Sequence, residues 1–327
     1  METGQVDPRM PDRWLQTVIE SAARAPSSHN TQPWQFRLEE GGVSLHADLH
    51  RRLPVNDPSD RELAISCGCA LMNLRIAAAA AGRAYRLELL PEGEDSPCLA
   101  RISWEDGDPD AGEAGLAPAI ERRRTCRQRF ASSAVPDSEV TALLAMAGRE
   151  GARLQALESL ERRAVAGLVA EGDGIQWRDS RWRHELAAWI HPRSRGEGLT
   201  VPSWVAPLAR FAVKTFDMGR RLAGHDRQLA ENAPRLLVLW TDGDQPHDWL
   251  RAGQALERVL LAACASGLQA SYLNQPLQVA SLRPRLRQAL GEGNGHPQIV
   301  LRLGYPPRDL PKTPRRAWAD MLQSPSG

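Results

Sequence analysis

The sequence predicts an α+β fold made of two fused half-repeats. The halves are expected to meet through alanine-rich central helices. Three observations carry this. Gly68, Ala70, Leu71, Ala77, Ala78, Ala80 and Gly82 match Gly253, Ala255, Leu256, Ala262, Ala263, Ala265 and Gly267 at one fixed offset of 185 residues, the mark of an internal repeat. A helix-then-strand order recurs, at residues 12–38 and again in "DSEVTALLAMAGREGARLQAL". An acidic stretch rich in Gly and Pro, "SWEDGDPDAGEAGL" (103–116), lies between them and reads as a linker.

The elements follow in order. Asp12 is an N-cap candidate for a helix with Trp14, Leu15, Val18, Ile19 and Ala22 on one stripe. Pro26 stops it, because the residue before a proline is pushed out of the α region. "WQFRLEEGGVSLHAD" alternates like two strands joined at Gly41-Gly42. "ISCGCALMNLRIAAAAAGRAYRLELLP" reads as a long buried helix, a Gly82 C-cap and a strand. In the second half, "RLLVLWTD" (235–242) is a buried strand, a helix begins near Asp248, and "HPQIVLRLGY" is the last strand. Residues 1–110 are taken as the first half and 117–327 as the second. An aromatic insertion at about 175–222 holds four of the ten tryptophans and has no first-half counterpart. It reads as a lid, a substrate-facing wall, or plain helical packing.

Composition narrows the function. The chain has 327 residues, 42% hydrophobic and 25% charged, which is globular usage. Forty-one basic residues face 40 acidic ones, so nothing points to nucleic acid. Only Lys214 and Lys312 are lysines, so 39 of the 41 are arginine and any anion site is built from guanidinium forks. No run approaches 18 apolar residues and the N-terminus has no apolar signal core, so no membrane is expected. The five cysteines are odd in number and scattered, as expected of reduced thiols in a cytoplasmic protein. No spacing supports a metal.

Three stretches are unusual. "APSSHNTQPW" (25–34) sets Ser27, Ser28, His29, Asn30, Thr31 and Gln32 in an unbroken polar run between two prolines, either a surface loop or a ligand lining. "ERRRTCRQRF" (121–130) groups Arg122, Arg123, Arg124, Arg127 and Arg129 around Thr125. That is a solvated turn or a grip for phosphate. "KTPRRAWADM" adds Lys312, Arg315 and Arg316 after the last strand. Other motifs fail: "GEGNGHP" follows a helix and precedes a strand, the reverse of a dinucleotide loop. No Gly-x-Ser-x-Gly elbow accompanies Ser27, Ser28 and His29.

As an ordered set, these stretches resemble the nitroreductase family of FMN-dependent oxidoreductases, in particular its tandem Acg-type branch. "APSSHNTQPWQF" is similar to the family's flavin-ring loop, "RRTCRQRF" to its phosphate motif, and "PKTPRR" to its C-terminal basic segment. The ring loop stands only in the first half and the phosphate motif only in the second, whose loop equivalent is "AGREGARLQ". The resemblance therefore implies halves that each carry an antiparallel-rich mixed sheet and a helical layer and together mimic a nitroreductase homodimer, with one FMN site per chain at their junction. Ser27, Ser28, Asn30 and Gln32 would line the flavin ring, whose polar edge needs donors and acceptors, with His29 bracing the loop. Arg123, Thr125 and Arg127 would hold the phosphate, completed by Arg315 or Arg316. Leu273, Asn274 and Gln275, after Tyr272, would bring backbone near flavin N5 and O4. The activity implied is hydride transfer through flavin N5 from NAD(P)H to a small nitro-, quinone- or imine-like acceptor. The flavin performs the redox step, so no protein group is expected to be catalytic. The alternatives are an FMN-sequestering protein whose insertion closes the nicotinamide site, and a flavin-dependent dehydrogenase or oxidase acting on a biosynthetic intermediate. Duplication removes the need for a homodimer without forbidding one.

Overall fold

In the computed structural model, which describes residues 12–323 apart from 292 and 294, the polypeptide forms two four-stranded sheets and one small pair. The N-terminal segment before Asp12, where a signal core was judged absent, and part of "GEGNGHP" lie outside the described residues.

The first half runs α1 (Arg13–Ala22), β1 (Trp34–Glu39), β2 (Gly42–Ala47), α2 (Arg61–Ala80), β3 (Ala84–Leu89) and β4 (Cys98–Glu105). Two short helices, α3 (Ala111–Ala114) and α4 (Ala117–Ile120), lead to the second half. There α5 (Asp137–Gly148) and β5 (Arg153–Ala156) come first. Next come α6 (Ser159–Arg178), α7 (Ser180–Ala188), β6 (Ile190–Pro192), β7 (Leu199–Val201), α8 (Ala206–Thr215) and α9 (Gly219–Glu231). The half closes with β8 (Arg235–Thr241), α10 (Pro246–Ala265), β9 (Gln269–Tyr272), α11 (Gln275–Gln278), α12 (Arg283–Ala289) and β10 (His296–Gly304).

The sheets have the orders β1-β2-β4-β3 and β5-β8-β10-β9, and every pairing in both is antiparallel. Substituting each strand by its counterpart in chain order turns one into the other, so the halves repeat one topology. Among the described residues the one parallel ladder is the β6–β7 pair. Helices α2 and α10 begin and end 185 residues apart. Their C-terminal turns close alike. Gly82 (φ +74°) and Gly267 (φ +79°) take the left-handed cap, and the next residues, Arg83 and Leu268, donate back to Ala78 and Ala263.

The two central helices touch where the repeat matches glycine to glycine. A Cβ at Gly68 would lie 2.4 Å from the Leu250 carbonyl oxygen, and one at Gly253 would lie 2.1 Å from that of Ile65. Only hydrogen fits on either side. Around this crossing one core runs through both sheets, from Phe36, Leu45 and Ile102 to Leu239, Ile299 and Leu301. Helix α2 is long and apolar enough to cross a membrane, with a mean hydropathy of 1.6, but 89% of that stretch is buried within the protein.

The sheets differ in how they are covered. β2 puts Ser44 and His46 on its outer face, whereas β8 buries Leu236, Val238 and Trp240 there, against α6, α9 and α12. A strand buried on both faces reads as a continuous apolar run, and "RLLVLW" does. The insertion responsible lies between β5 and β8, where the first half has only the Glu39–Gly42 turn. It therefore starts with α6 and ends with α9, wider than the 175–222 read from the sequence, because α6 continues the amphipathic pattern without a break.

The acidic stretch between the halves is ordered. Glu113, 1% exposed, accepts from the guanidinium groups of Arg75 on α2 and Arg258 on α10, and from the Tyr85 hydroxyl. Glu150, in the turn equivalent to the polar loop, ties to the same two arginines. Buried and half-buried carboxylates matched to guanidiniums fill that position in the repeat.

Candidate functional site

On the other side of the central helices the same junction is open, forming a cavity of about 380 Å³. Pro26–Asn30 of the polar loop supply one wall, Thr125 and Arg127 another, Ser271–Gln275 a third, and Thr313 and Arg315 of the C-terminal tail close one end. Ile65, Ser66 and Cys69 of α2 and Leu256 of α10 form the floor. The insertion contributes a further wall with Asp173, Gln176, Trp182, Leu186, Leu199, Asp226 and Leu229.

The polar loop is held in a costly shape. His29, Asn30 and Gln32 have φ of 52°, 56° and 52°, the left-handed region, at about 1–2 kcal/mol each. Its own side chains hold it there. The Gln32 Nε2 donates to the Gly196 carbonyl at 2.9 Å, and its Oε1 accepts from the Arg316 N–H at 3.0 Å. The Asn30 amide donates to the carbonyls of Gly198 and Pro314, and the Ser27 hydroxyl accepts from the Gln32 N–H. Gln32, expected on the ring, is fully buried outside the cavity, because one side-chain amide joins loop, insertion and tail. Ser28 lines the cavity, and so does His29, which was expected to brace the loop. Ser28 donates to Glu62 at 2.5 Å. Burial, then the charge of Arg127, pushes the His29 imidazole down to about 4, so it is neutral at pH 7.

The basic residues separate into two sets. Arg127 lines the cavity with its side chain still exposed, and it forms no ion pair among the described residues. Arg123, expected on the phosphate, lies behind the wall, 3.3 Å from the fully buried Glu257, and donates to the Arg24 carbonyl. Arg315 lines the cavity, yet its N–H groups point to the carbonyls of Ala23, Arg24, Ala25, Thr313 and Pro314. Burial, then Arg123, lowers it to about 9. Arg316 braces the Gln32 and Asp320 carbonyls outside the cavity. A small notch of about 40 Å³ opens beside the cavity, sharing Thr125, Thr313 and Arg315 with it. Arg24, Arg123, Arg124 and Lys312 surround it. Arg24 was not singled out in the sequence, since it closes a helical stripe and looks like any surface arginine.

Leu273, Asn274 and Gln275 all line the cavity. The Leu273 N–H is not free to meet a ligand, because it donates to the Val300 carbonyl at 2.9 Å. The Asn274 Oδ1 accepts from the Val300 N–H. The Tyr272 hydroxyl and the Gln275 Oε1 are buried without a partner beside the cavity.

A family model described as "Nitroreductase family" matches residues 120–305. Over nearly the whole chain, a Mycobacterium tuberculosis (strain H37Rv) protein provisionally named NAD(P)H nitroreductase Rv3131 is 33% identical. That match spans 322 residues, 95% of this chain and 91% of that one. The chain belongs to the nitroreductase family. The protein provisionally named NAD(P)H nitroreductase acg, from the same strain, is 30% identical over 94% of this chain and 96% of its own. Among solved structures, the FMN-dependent nitroreductase NfnB from Mycobacterium smegmatis in complex with NADPH is 17% identical, with a TM-score of 0.43. It covers 64% of this chain and 100% of that one. The nitroreductase-family model reaches only the second half and its approach, so the polar loop of residues 25–34 lies outside the matched range.

Proposed function

We propose that this nitroreductase-family protein is an FMN-dependent oxidoreductase with one flavin site per chain, in the cavity between the halves. One observation carries the reading: loop residues Ser27–Asn30 of the first half and Thr125 and Arg127 of the second, about a hundred positions apart, line the same cavity. The residues present fit the group. An isoalloxazine edge needs both donors and acceptors, and buried polar atoms without partners stand around the cavity at Tyr272, Gln275, Asp173 and Arg302. A phosphate needs cations, and Arg127 with the Arg24–Arg124–Lys312 notch supplies them at one side.

Bound there, FMN supplies hydride transfer at N5 between NAD(P)H and a small electrophilic acceptor. The chain's own residues bind and shield. Arg127 and Thr125 would hold the phosphate. The Ser27 and Ser28 hydroxyls and the neutral His29 face the ligand across the cavity. Trp182, Leu186, Leu199 and Leu229 of the insertion exclude water on the opposite wall. Occupation of the repeat-equivalent position by the Glu113–Glu150–Arg75–Arg258 cluster supports a single site.

Arg127→Met tests the reading, since among the described residues Arg127 has no carboxylate partner whose charge its removal would strand. FMN affinity is expected to fall about tenfold to a hundredfold, the worth of about 1.5–3 kcal/mol for a charge-assisted contact. The exposed Arg129→Ala should leave it unchanged. Equal FMN retention by Arg127→Met and the parent would remove the proposed phosphate grip.

A further inference from the structure

Seven acidic residues among those described are buried: Asp48, Asp57, Glu62, Glu113, Asp173, Glu197 and Glu257. Five have an arginine within ion-pair distance, as burial of charge requires. Asp57 instead accepts the Leu63 N–H at the start of α2. Asp173 alone has neither, although it is only 4% exposed and lines the cavity. Its Oδ1 accepts from the Gln275 Nε2 at 3.1 Å, and its Oδ2 has no partner. The same Gln275 nitrogen donates to Asp226 Oδ2 at 2.9 Å, so one amide bridges two carboxylates from α6 and α9.

The arrangement is built rather than incidental. Gly172 lets α6 press onto α11, since a Cβ there would meet the Gln275 Cβ at 2.7 Å. His225 and Arg302 are the cations that face Asp226. Neither forms an ion pair with it, and the Arg302 guanidinium is turned to the carbonyls of Cys126 and Gln128 and over the Phe130 ring. Apolar Trp182, Leu186 and Leu229 share the wall. Asp173 and Asp226, bridged by one amide and set beside apolar side chains, have no cation within ion-pair distance among the described residues.

We propose that Asp173 and Asp226, bridged by Gln275, form a subsite for a cationic nitrogen. The small molecule that exchanges hydride in this cavity then carries a protonated amine, an amidinium or an iminium. The redox role rests on the flavin reading above; the recognition does not. Without a cation the pair keeps a proton: burial, then the charge of Asp226, raises Asp173 to about 7. A bound cation favours both ionised carboxylates and expels that proton.

The experiment is calorimetric titration of the FMN-reconstituted protein near pH 7 with benzamidine and with its neutral isostere benzamide. Two buffers of different ionisation enthalpy report proton release. Benzamidine is expected to bind about tenfold tighter or more, with up to one proton released. Asp173→Asn and Asp226→Asn, which keep the side-chain shape, should each abolish both the preference and the release, their melting curves confirming that they fold. Equal binding of the two probes, or a preference that survives both substitutions, overturns the proposal. Flavin absorbance and the same titration of FMN-free protein separate the two readings. FMN bound without amidinium preference sinks the subsite alone. Amidinium preference in a protein that takes up no FMN supports the subsite and sinks the flavin reading.

Discussion

Gly253→Ala adds one methyl group at the crossing of α2 and α10. Its Cβ would stand 2.1 Å from the Ile65 oxygen and 2.8 Å from the Gly68 Cα, where ordinary contact begins near 3.4 Å. Both obstacles are backbone, so no side chain can turn aside and the helices must part by on the order of 1 Å. Overpacking of this kind costs about 3 kcal/mol at its upper range. Alanine returns about 1 kcal/mol of helix propensity, leaving a net loss of about 2 kcal/mol. Gly167→Ala, within α6 and with nothing inside 4 Å of the added Cβ, is the control and should gain up to about 1 kcal/mol. Urea denaturation followed by circular dichroism reads both. Leu256, one turn beyond Gly253, lines the cavity, so Gly253→Ala should also weaken FMN binding. If Gly253→Ala is as stable as the parent, the close approach of the central helices is not what joins the halves.

Asp173, raised to about 7 from its ordinary 3.8, holds a proton in the folded state that the unfolded chain gives up. Its contribution to stability falls as pH rises from about 4 to about 7, by on the order of 4 kcal/mol in total. Asp173→Asn should remove that slope, seen as a stability difference from the parent that grows with pH. His29, lowered to about 4 from 6.5, acts oppositely, because the unfolded chain binds the proton first as pH falls. The His29→Gln difference should therefore shrink toward pH 4 and be largest above about 6.5. Glu113→Ala leaves Arg75 and Arg258 sharing Glu150 as their remaining carboxylate and should lower stability by about 1.5–3 kcal/mol, the worth of a lost charge-assisted contact. A loss under 1 kcal/mol in urea would show that the connector clamps nothing.

Sequence reading reached the parts of this molecule that rest on local pattern. The 185-residue offset located both central helices and their glycine caps, because close packing and a left-handed turn each demand glycine at one position. The polar loop and the Thr125–Arg127 segment were visible as composition too dense for an ordinary turn. Which side chains face the cavity was not visible. Gln32, Arg123 and Arg316 look like ligand groups and brace other segments, a difference made by partners that lie far away in sequence: Gly196 for Gln32, Glu257 for Arg123 and the Gln32 carbonyl for Arg316. Asp173 and Asp226 come from two helices of the insertion with no spacing rule between them. The one local hint is "EGDG" (171–174), an acid flanked by glycines inside a helix, where propensity alone would place neither.

The central claim is that two unlike halves complete one flavin site. Reconstituting the purified chain with excess FMN, removing unbound flavin and comparing flavin absorbance with protein concentration measures it directly. One FMN per chain is expected, reduced to a small fraction in Arg127→Met under the same washing. Two FMN per chain would contradict the filled position at Glu113 and Glu150, and a colourless protein would contradict the site itself.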